Sequence, residues 1–230
     1  MERVSIIEGK IPVIIVAPHG YSGDDENTDI MADHIAKSID AYAVINKGWE
    51  RSETVDFMKD KADCNNVYHC LEDVVREEFL DPIIRFKNKI LKTNPIVYIF
   101  YLHGMSNRHR KIAKDPLLDV VVGYGAGKPN SLSCDIWQKN LFLNYLNLNG
   151  ITSYEGKAGG QMSGWSKNNL NQYFRKWDYD PNVSSMQIEV IYELRQDKDL
   201  AIITADYMAT VISDTSVASG YTGNDAFKLY

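Results

Sequence analysis

Two histidines in this chain each follow a short apolar run and each precede a glycine. His19 comes after residues 11–18, and His103 comes after residues 96–102. Histidine is the commonest metal ligand, and catalytic zinc takes three protein ligands with one position open for water. The chain has only 5 histidines, so two of them in the same setting predict a shared metal site. We expect the glycine after each histidine to leave room for a ligand.

The apolar runs predict where these histidines lie. Residues 11–17 and 96–102 are too short for ordinary helices, rich in β-branched and aromatic residues, and apolar on both faces. This pattern is typical of buried central strands in an α/β sheet. Ligands of open α/β sheets bind at the carboxyl ends of the strands. The sequence therefore predicts both imidazoles at one edge of a central sheet.

The rest of the chain alternates predicted strands and helices. Further strands are predicted over 41–45, 119–123, 151–154 (at an edge) and 186–192, and helices over 28–39, 67–91 (with a kink or restart at Pro82), 133–148 and 198–213. Residues 156–180 predict a long aromatic-rich loop, and 214–230 a weakly ordered tail. With no repeat or linker, we expect one domain over residues 1–230, a three-layer α/β/α fold around a mixed, largely parallel sheet.

Composition narrows the classes of partner and compartment. A net charge of −6 without a basic face argues against a nucleic-acid partner. No apolar run reaches the length of a membrane span, and the N-terminus lacks a signal-peptide pattern. The 3 cysteines form no CxxC pair, which argues against a disulfide framework or a zinc ribbon. We expect a soluble cytoplasmic protein with a small-molecule substrate, and the sequence carries no signal for its oligomeric state.

The acidic loop after His19 offers a third metal ligand. Its candidates are Asp24, Asp25, Glu26 and Asp29. Asp29 is favoured because it falls in the first turn of a predicted helix and can point back at His19, and Glu26 is the alternative. The helix dipole by itself also favours a carboxylate at Asp29, so a purely structural role stays open.

Glu189 is a candidate for proton transfer. It lies inside the apolar run 186–192, where burying an unpaired carboxylate is costly. Such a carboxylate is either matched by a cation or used in catalysis, and both readings stay open. Metal-assisted hydrolysis needs a base that takes a proton from water and delivers it to the leaving amine.

Taken in order, five short motifs resemble the N-formylglutamate amidohydrolase family of the zinc carboxypeptidase-like group. They lie within residues 11–195 and read Pro18-His19-Gly20, Thr28-Asp29, Asp63-Cys64-Asn65-Asn66, Leu102-His103-Gly104 and Gln187-Ile188-Glu189. The resemblance implies a phosphorylase/hydrolase-like α/β fold and one zinc ion. It implies His19, Asp29 and His103 as the metal ligands, Glu189 as general acid/base, and Asn65 as a group that holds the substrate carboxylate.

Two positions depart from the family pattern. Asn66 stands where the family has arginine, and asparagine lacks the charged fork that binds a carboxylate with two hydrogen bonds. Arg51 or Arg175 is a candidate replacement for that charge. Tyr101 stands where the pattern has an aspartate two residues before the second histidine, which removes a carboxylate that could orient a metal ligand.

Two functions remain after this comparison of motifs. The first is a zinc-dependent amidohydrolase that cleaves the amide bond of a small N-acyl (formyl) amino acid or related amide. The second is a small-ligand-binding protein on the same fold that has lost catalysis.

Overall fold

The computed structural model describes residues 2–21, 23–128 and 131–221. Its strands are β1 (Val4–Ile7), β2 (Val13–Ala17), β3 (Tyr42–Asn46), β4 (Val97–Met105), β5 (Val120–Gly123), β6 (Ser153–Glu155) and β7 (Val183–Ile191). They form one seven-stranded sheet in the order β1-β3-β2-β4-β7-β5-β6. The pairs β3-β2, β2-β4, β4-β7 and β5-β6 are parallel. The pairs β1-β3 and β7-β5 are antiparallel, so the predicted mixed, largely parallel sheet is confirmed.

Helices cover both faces of this sheet. They are α1 (Thr28–Ile39), α2 (Val67–Cys70), α3 (Asp73–Val75), α4 (Asp81–Ile90), α5 (Arg108–Ala113), α6 (Ile136–Leu148) and α7 (Lys198–Tyr221). Residues of α1, α6 and α7 share one hydrophobic core with the sheet, and residues of α2, α3 and α4 share another. The predicted three-layer α/β/α class is therefore confirmed.

Strand β2 shows why the central runs are apolar throughout. Val13 and Ile15 pack into the core under α1, whereas Ile14 and Val16 pack into the core on the opposite face. All four side chains are fully buried. A strand between two helical layers has no solvent face, so its sequence shows no polar alternation.

The long helix predicted over residues 67–91 is broken into shorter pieces. It consists of α2, α3, a π-helical turn over Arg76–Leu80, and α4. Pro82 lies in the first turn of α4, the position where a missing backbone N–H costs least. The chain leaves the helical conformation at residues 71–72 and is helical without interruption from 73 to 90, so the single helix over 67–91 is wrong and no restart occurs at Pro82.

Other element boundaries also differ from the prediction. Strand β1 is short and half-exposed, which gave too weak a pattern to recognise, and residues 156–180 contain short 3-10 and π-helical turns. Residues 214–221 of the predicted tail belong to α7, and residues 222–230 lie outside the described part of the chain. None of the helices described here combines the length and apolar character needed to cross a membrane.

Candidate metal centre

The fold brings the two histidines together at one edge of the sheet. Strands β2 and β4 are parallel neighbours, and His19 follows β2 while His103 lies inside the last part of β4. The centroids of the two rings are 5.0 Å apart, and each residue is only 3% exposed. The prediction that both imidazoles meet at one edge is confirmed.

Asp25 completes the cluster. Its Oδ2 atom lies 3.3 Å from Nδ1 of His19 and 3.2 Å from Nδ1 of His103. One donor atom from each of these three buried residues lies within 4.8 Å of the other two. Two imidazoles and one carboxylate are a donor set that catalytic zinc takes, so the residues present fit the expected metal.

The expected third ligands, Asp29 and Glu26, are not part of this cluster. Asp29 does lie in the first turn of α1, but its carboxylate is 3.9 Å from Nζ of Lys47. Glu26 is exposed. Asp29 therefore lies where the helix dipole favours a carboxylate. The expectation that it points back at His19 is wrong, and Asp25 contacts His19 instead.

The loop before α1 explains why Asp25 turns inward. Asn27 adopts a left-handed conformation with φ of 64°, which reverses the chain direction before the helix begins. The backbone N–H and the hydroxyl of Thr28 both donate to the carbonyl of Asp25, at 3.1 and 2.7 Å. These bonds hold the backbone of Asp25 rigidly beside the histidines.

Asp63 orients the ring of His19. The Nε2 atom of His19 lies 2.9 Å from Oδ1 of Asp63, which also accepts the backbone N–H of Asn65 at 2.8 Å. A carboxylate on one ring nitrogen fixes the tautomer and leaves the lone pair of the other nitrogen free for a metal. Asp63 stood in a recognised motif, but no role was predicted for it.

The carboxylates of Asp25 and Asp63 favour a positive charge at His19, whether that charge is a proton or a metal ion. Burial lowers the pKa of His19, but hydrogen bonds and charge from Asp25 and Asp63 overcome this and raise it to about 9. Burial would raise the pKa of Asp25, yet the two histidines hold it well below its usual range. Without a metal, His19 therefore carries a proton between two ionised carboxylates.

Glu189 faces the same cleft from the neighbouring strand. It pairs in register with His103 across β4 and β7, and Nε2 of Gln187 donates to its carboxylate. Burial raises the pKa of Glu189, and the nearby histidines oppose this only in part. Among the described residues no lysine or arginine forms a salt bridge with Glu189, although the charge of the buried Arg195 acts on it from a longer distance.

A cavity of about 500 Å³ opens in front of these residues. Carboxamide side chains form part of its wall, from Asn65, Asn66, Asn168, Asn169, Gln161 and Gln187. Four buried polar atoms on the wall have no hydrogen-bond partner in the described structure: Asp24 Oδ2, Asn65 Oδ1, Asn168 Oδ1 and His103 Nε2. Buried polar groups are nearly always satisfied, so the cavity is the place where a polar ligand belongs.

The predicted substrate-binding residues divide into two groups. Asn65, Asn66 and Arg51 line the cavity, and the Arg51 guanidinium lies 3.5 Å from Asp24 and 3.9 Å from Asp63. Arg175 does not line it, because its Nε donates to the carbonyl of Val183 at the opposite end of β7. The exposed Arg108, for which the sequence predicted no binding role, lines the cavity instead.

Tyr101 lies in the hydrophobic core beneath this edge of the sheet. It is fully buried in the same core as Cys70 and Tyr173. Its hydroxyl has no hydrogen-bond partner among the described residues. Asp63 orients His19, whereas Nε2 of His103, the histidine two residues after Tyr101, has no hydrogen-bond partner among the described residues.

Comparisons with known proteins give a clear result for structure but not for sequence. No protein-family model and no curated protein matches the sequence. N-formylglutamate amidohydrolase from Ralstonia eutropha JMP134 is similar, with a TM-score of 0.63 and 11% identity over 95% of this chain and 98% of that one. A bacteriophage poly-γ-glutamate hydrolase has a TM-score of 0.56 and 12% identity, over 94% of this chain and 88% of that one. A metallo-carboxypeptidase from Burkholderia cenocepacia has a TM-score of 0.52 and 11% identity, over 94% of this chain and 65% of that one. The chain therefore has the α/β fold that N-formylglutamate amidohydrolase shares with the metallo-carboxypeptidases.

Proposed function

We propose that this protein is a zinc-dependent hydrolase of amide bonds, acting on a small N-acyl amino acid, an N-formyl amino acid included, or a related amide. The observation that carries the proposal is the contact of a single carboxylate oxygen of Asp25 with one nitrogen of each histidine, beside Glu189. Proteins of similar fold include an amidohydrolase and a poly-γ-glutamate hydrolase, which favours an amide as the bond cleaved.

The residues of the cluster have separate tasks in this reaction. His19, Asp25 and His103 would hold the zinc ion, which when bound supplies a Lewis acid for the substrate carbonyl and lowers the pKa of water. Asp63 keeps the tautomer of His19 that presents Nδ1 to the metal.

Glu189 performs the proton transfers. Its carboxylate takes a proton from the attacking water and delivers it to the leaving nitrogen. The raised pKa of Glu189, due first to burial, suits a group that must both accept and return a proton near neutral pH. Gln187 orients this carboxylate and is itself held by Asn169, whose Nδ2 donates to Oε1 of Gln187 at 2.9 Å.

We propose that the substrate is polar and carries a negative charge. Carboxamide side chains can donate to and accept from the amide and acyl groups of such a substrate. Arg51 and Arg108 are the arginines on the described wall, and we propose that they replace the arginine that Asn66 lacks. Arg51→Met and Arg108→Met should raise KM for acidic N-acyl amino acids more than for neutral ones. Equal effects on both kinds of substrate would argue against this role.

Glu189→Gln tests the catalytic assignment. The variant should retain zinc and its fold while turnover of N-acyl amino acids falls by roughly 10²–10⁴-fold, the usual contribution of a positioned proton-transfer group. Glu26→Gln is the matched control, because Glu26 is an exposed glutamate of the neighbouring loop and should leave both quantities unchanged.

Three outcomes would contradict this assignment. Unchanged turnover in Glu189→Gln would make the residue structural, and loss of zinc would make it a metal ligand. A wild-type protein that binds zinc but turns over no N-acyl amino acid or peptide would favour the ligand-binding alternative.

A further inference from the structure

A buried arginine lies behind the metal centre and bonds only to backbone carbonyls there. Arg195 is 4% exposed. Its Nε donates to the carbonyl of Val190 at 3.2 Å, its Nη1 to Glu26 at 2.5 Å, and its Nη2 to Met105 at 3.5 Å. Within the described residues, no carboxylate forms a salt bridge with it.

The three acceptors are neighbours in sequence of the residues that form the site. Glu26 follows Asp25, Val190 follows Glu189, and Met105 lies two residues after His103. The acceptors belong to three different segments: the acidic loop, β7 and β4. The guanidinium of Arg195 thus forms hydrogen bonds to the backbone close to Asp25, His103 and Glu189.

A reciprocal bond ties the same loop to Arg195. Nδ2 of Asn27 donates to the backbone carbonyl of Arg195 at 2.7 Å. Asn27 is the residue whose left-handed conformation turns the loop so that Asp25 faces inward. The loop is therefore held on Arg195 by both its backbone and a side chain.

The glycine after His103 makes room for this arginine. A Cβ atom at Gly104 would lie 2.1 Å from Nη2 and 2.3 Å from Cζ of Arg195. Gly104 also lines the cavity in front of the cluster, so its missing side chain makes room for Arg195 and the residue still borders the space expected for a ligand. Gly20 likewise packs closely, since a Cβ there would lie 2.7 Å from the carbonyl oxygen of Asn46.

Only arginine suits this position. Burying a cation is costly, and the negative charges of Asp25, Glu189 and Glu26 offset part of that cost without forming a salt bridge. Hydrogen bonds from a charged donor to carbonyls offset more of it, because they are stronger than neutral ones. The planar fork of arginine sends N–H groups in several fixed directions at once, whereas lysine offers a single point charge.

We propose that Arg195 is a positioning residue that sets the mutual placement of Asp25, His103 and Glu189 through the backbone beside each of them. The part that concerns Glu189 rests on the proposed function. The part that concerns the loop and the two metal-binding residues does not depend on turnover.

Zinc affinity of the full-length protein tests the proposal directly. Loss of a residue that orients metal ligands typically lowers affinity about 10–100-fold, and we expect this for Arg195→Ala. Arg195→Lys should restore little. Arg175→Ala is the control, because Arg175 also donates a hydrogen bond to a backbone carbonyl, that of Val183, at the end of β7 opposite Glu189.

Two further measurements separate positioning from general destabilisation. A cavity of about 300 Å³ borders Arg195, so millimolar guanidinium should restore part of the zinc affinity of Arg195→Ala, while sodium chloride of equal ionic strength should not. Gly104→Ala should lower zinc affinity in the wild-type background and have little effect in Arg195→Ala, where its clash partner is gone.

Amide hydrogen exchange measured without metal gives a result that is independent of zinc and catalysis. Exchange over residues 23–27 should accelerate in Arg195→Ala and stay unchanged in Arg175→Ala. Wild-type zinc affinity and loop exchange in Arg195→Ala would overturn the proposal, as would additive effects of Gly104→Ala and Arg195→Ala. If the wild type binds no zinc or turns over no amide, the proposed function fails, and loop exchange still decides the role of Arg195. If Arg195→Ala does not fold, Gly104→Ala and Arg195→Lys provide the same test.

Discussion

Metal binding should depend steeply on pH, because a proton on His19 competes with the metal. Asp25 and Asp63 raise the pKa of His19 to about 9 against the opposing effect of burial. At pH 7 the ring is protonated, and zinc must displace that proton from the cluster. Two pH units below the pKa correspond to roughly a hundredfold loss of apparent affinity, about 3 kcal/mol.

The apparent zinc affinity should therefore rise about tenfold per pH unit from pH 7 to pH 9 and level off above that. Competition with a chromophoric chelator in zinc-buffered solution measures this curve. Calorimetry at pH 7 in two buffers with different ionisation heats counts the protons released, and we expect about one from His19.

Asp63→Asn supplies the matched perturbation. Without this carboxylate the pKa of His19 falls, so the level part of the curve should begin at a lower pH. The affinity reached there should be lower than in the wild type, because the ring loses its charged orienting partner. A wild-type affinity that is flat between pH 7 and pH 9, or metal binding at pH 7 that releases no proton, would refute the reasoning.

Three further predictions concern the same region. His19→Ala and His103→Ala should each abolish tight zinc binding in chelator competition, while His34→Ala, which removes an exposed histidine paired with Asp206, should not; retained zinc in either of the first two would remove that histidine from the site. In the metal-free protein, the raised folded-state pKa of His19 stabilises the fold below about pH 6.5. This contribution to the free energy of unfolding, about 3 kcal/mol, is lost as the pH rises to 9. Thermal melts should show the loss without zinc and not with it, and a flat stability profile of the metal-free protein would contradict the prediction. Tyr101→Phe removes a buried hydroxyl that has no hydrogen-bond partner among the described residues. Chemical denaturation should therefore show a free energy of unfolding that is unchanged or up to about 1 kcal/mol higher. A clear loss of stability would show that the hydroxyl makes an unrecognised hydrogen bond.

The strands and the histidine pair could be predicted because local sequence determines them. A run such as residues 96–102, apolar on both faces, has few options other than a buried strand. Parallel strands then place their carboxyl ends together, and the histidines follow. The close packing of the glycines could not be predicted because nothing local shows which group approaches them, and for Gly104 the group is Arg195, far along the chain.

Asp25, the third member of the buried cluster, could not be predicted for a similar reason. Helix-end electrostatics correctly placed Asp29 in the first turn of α1, but the inward direction of Asp25 depends on the left-handed turn at Asn27 and on a contact with His103, 78 residues away. Asp63 lies 44 residues from His19. Contacts of this separation are decided by tertiary packing, and one sequence carries no local signal for them.

Zinc content of three purified proteins tests the central claim, that His19, Asp25 and His103 form the metal site. Wild type, Asp25→Asn and Asp29→Asn are loaded with zinc, freed of excess metal and measured by elemental analysis, with circular dichroism to confirm folding. Wild type and Asp29→Asn should retain stoichiometric zinc, and Asp25→Asn should lose it. Zinc retained by Asp25→Asn and lost by Asp29→Asn, or a folded wild type that takes up no transition metal, would contradict the account.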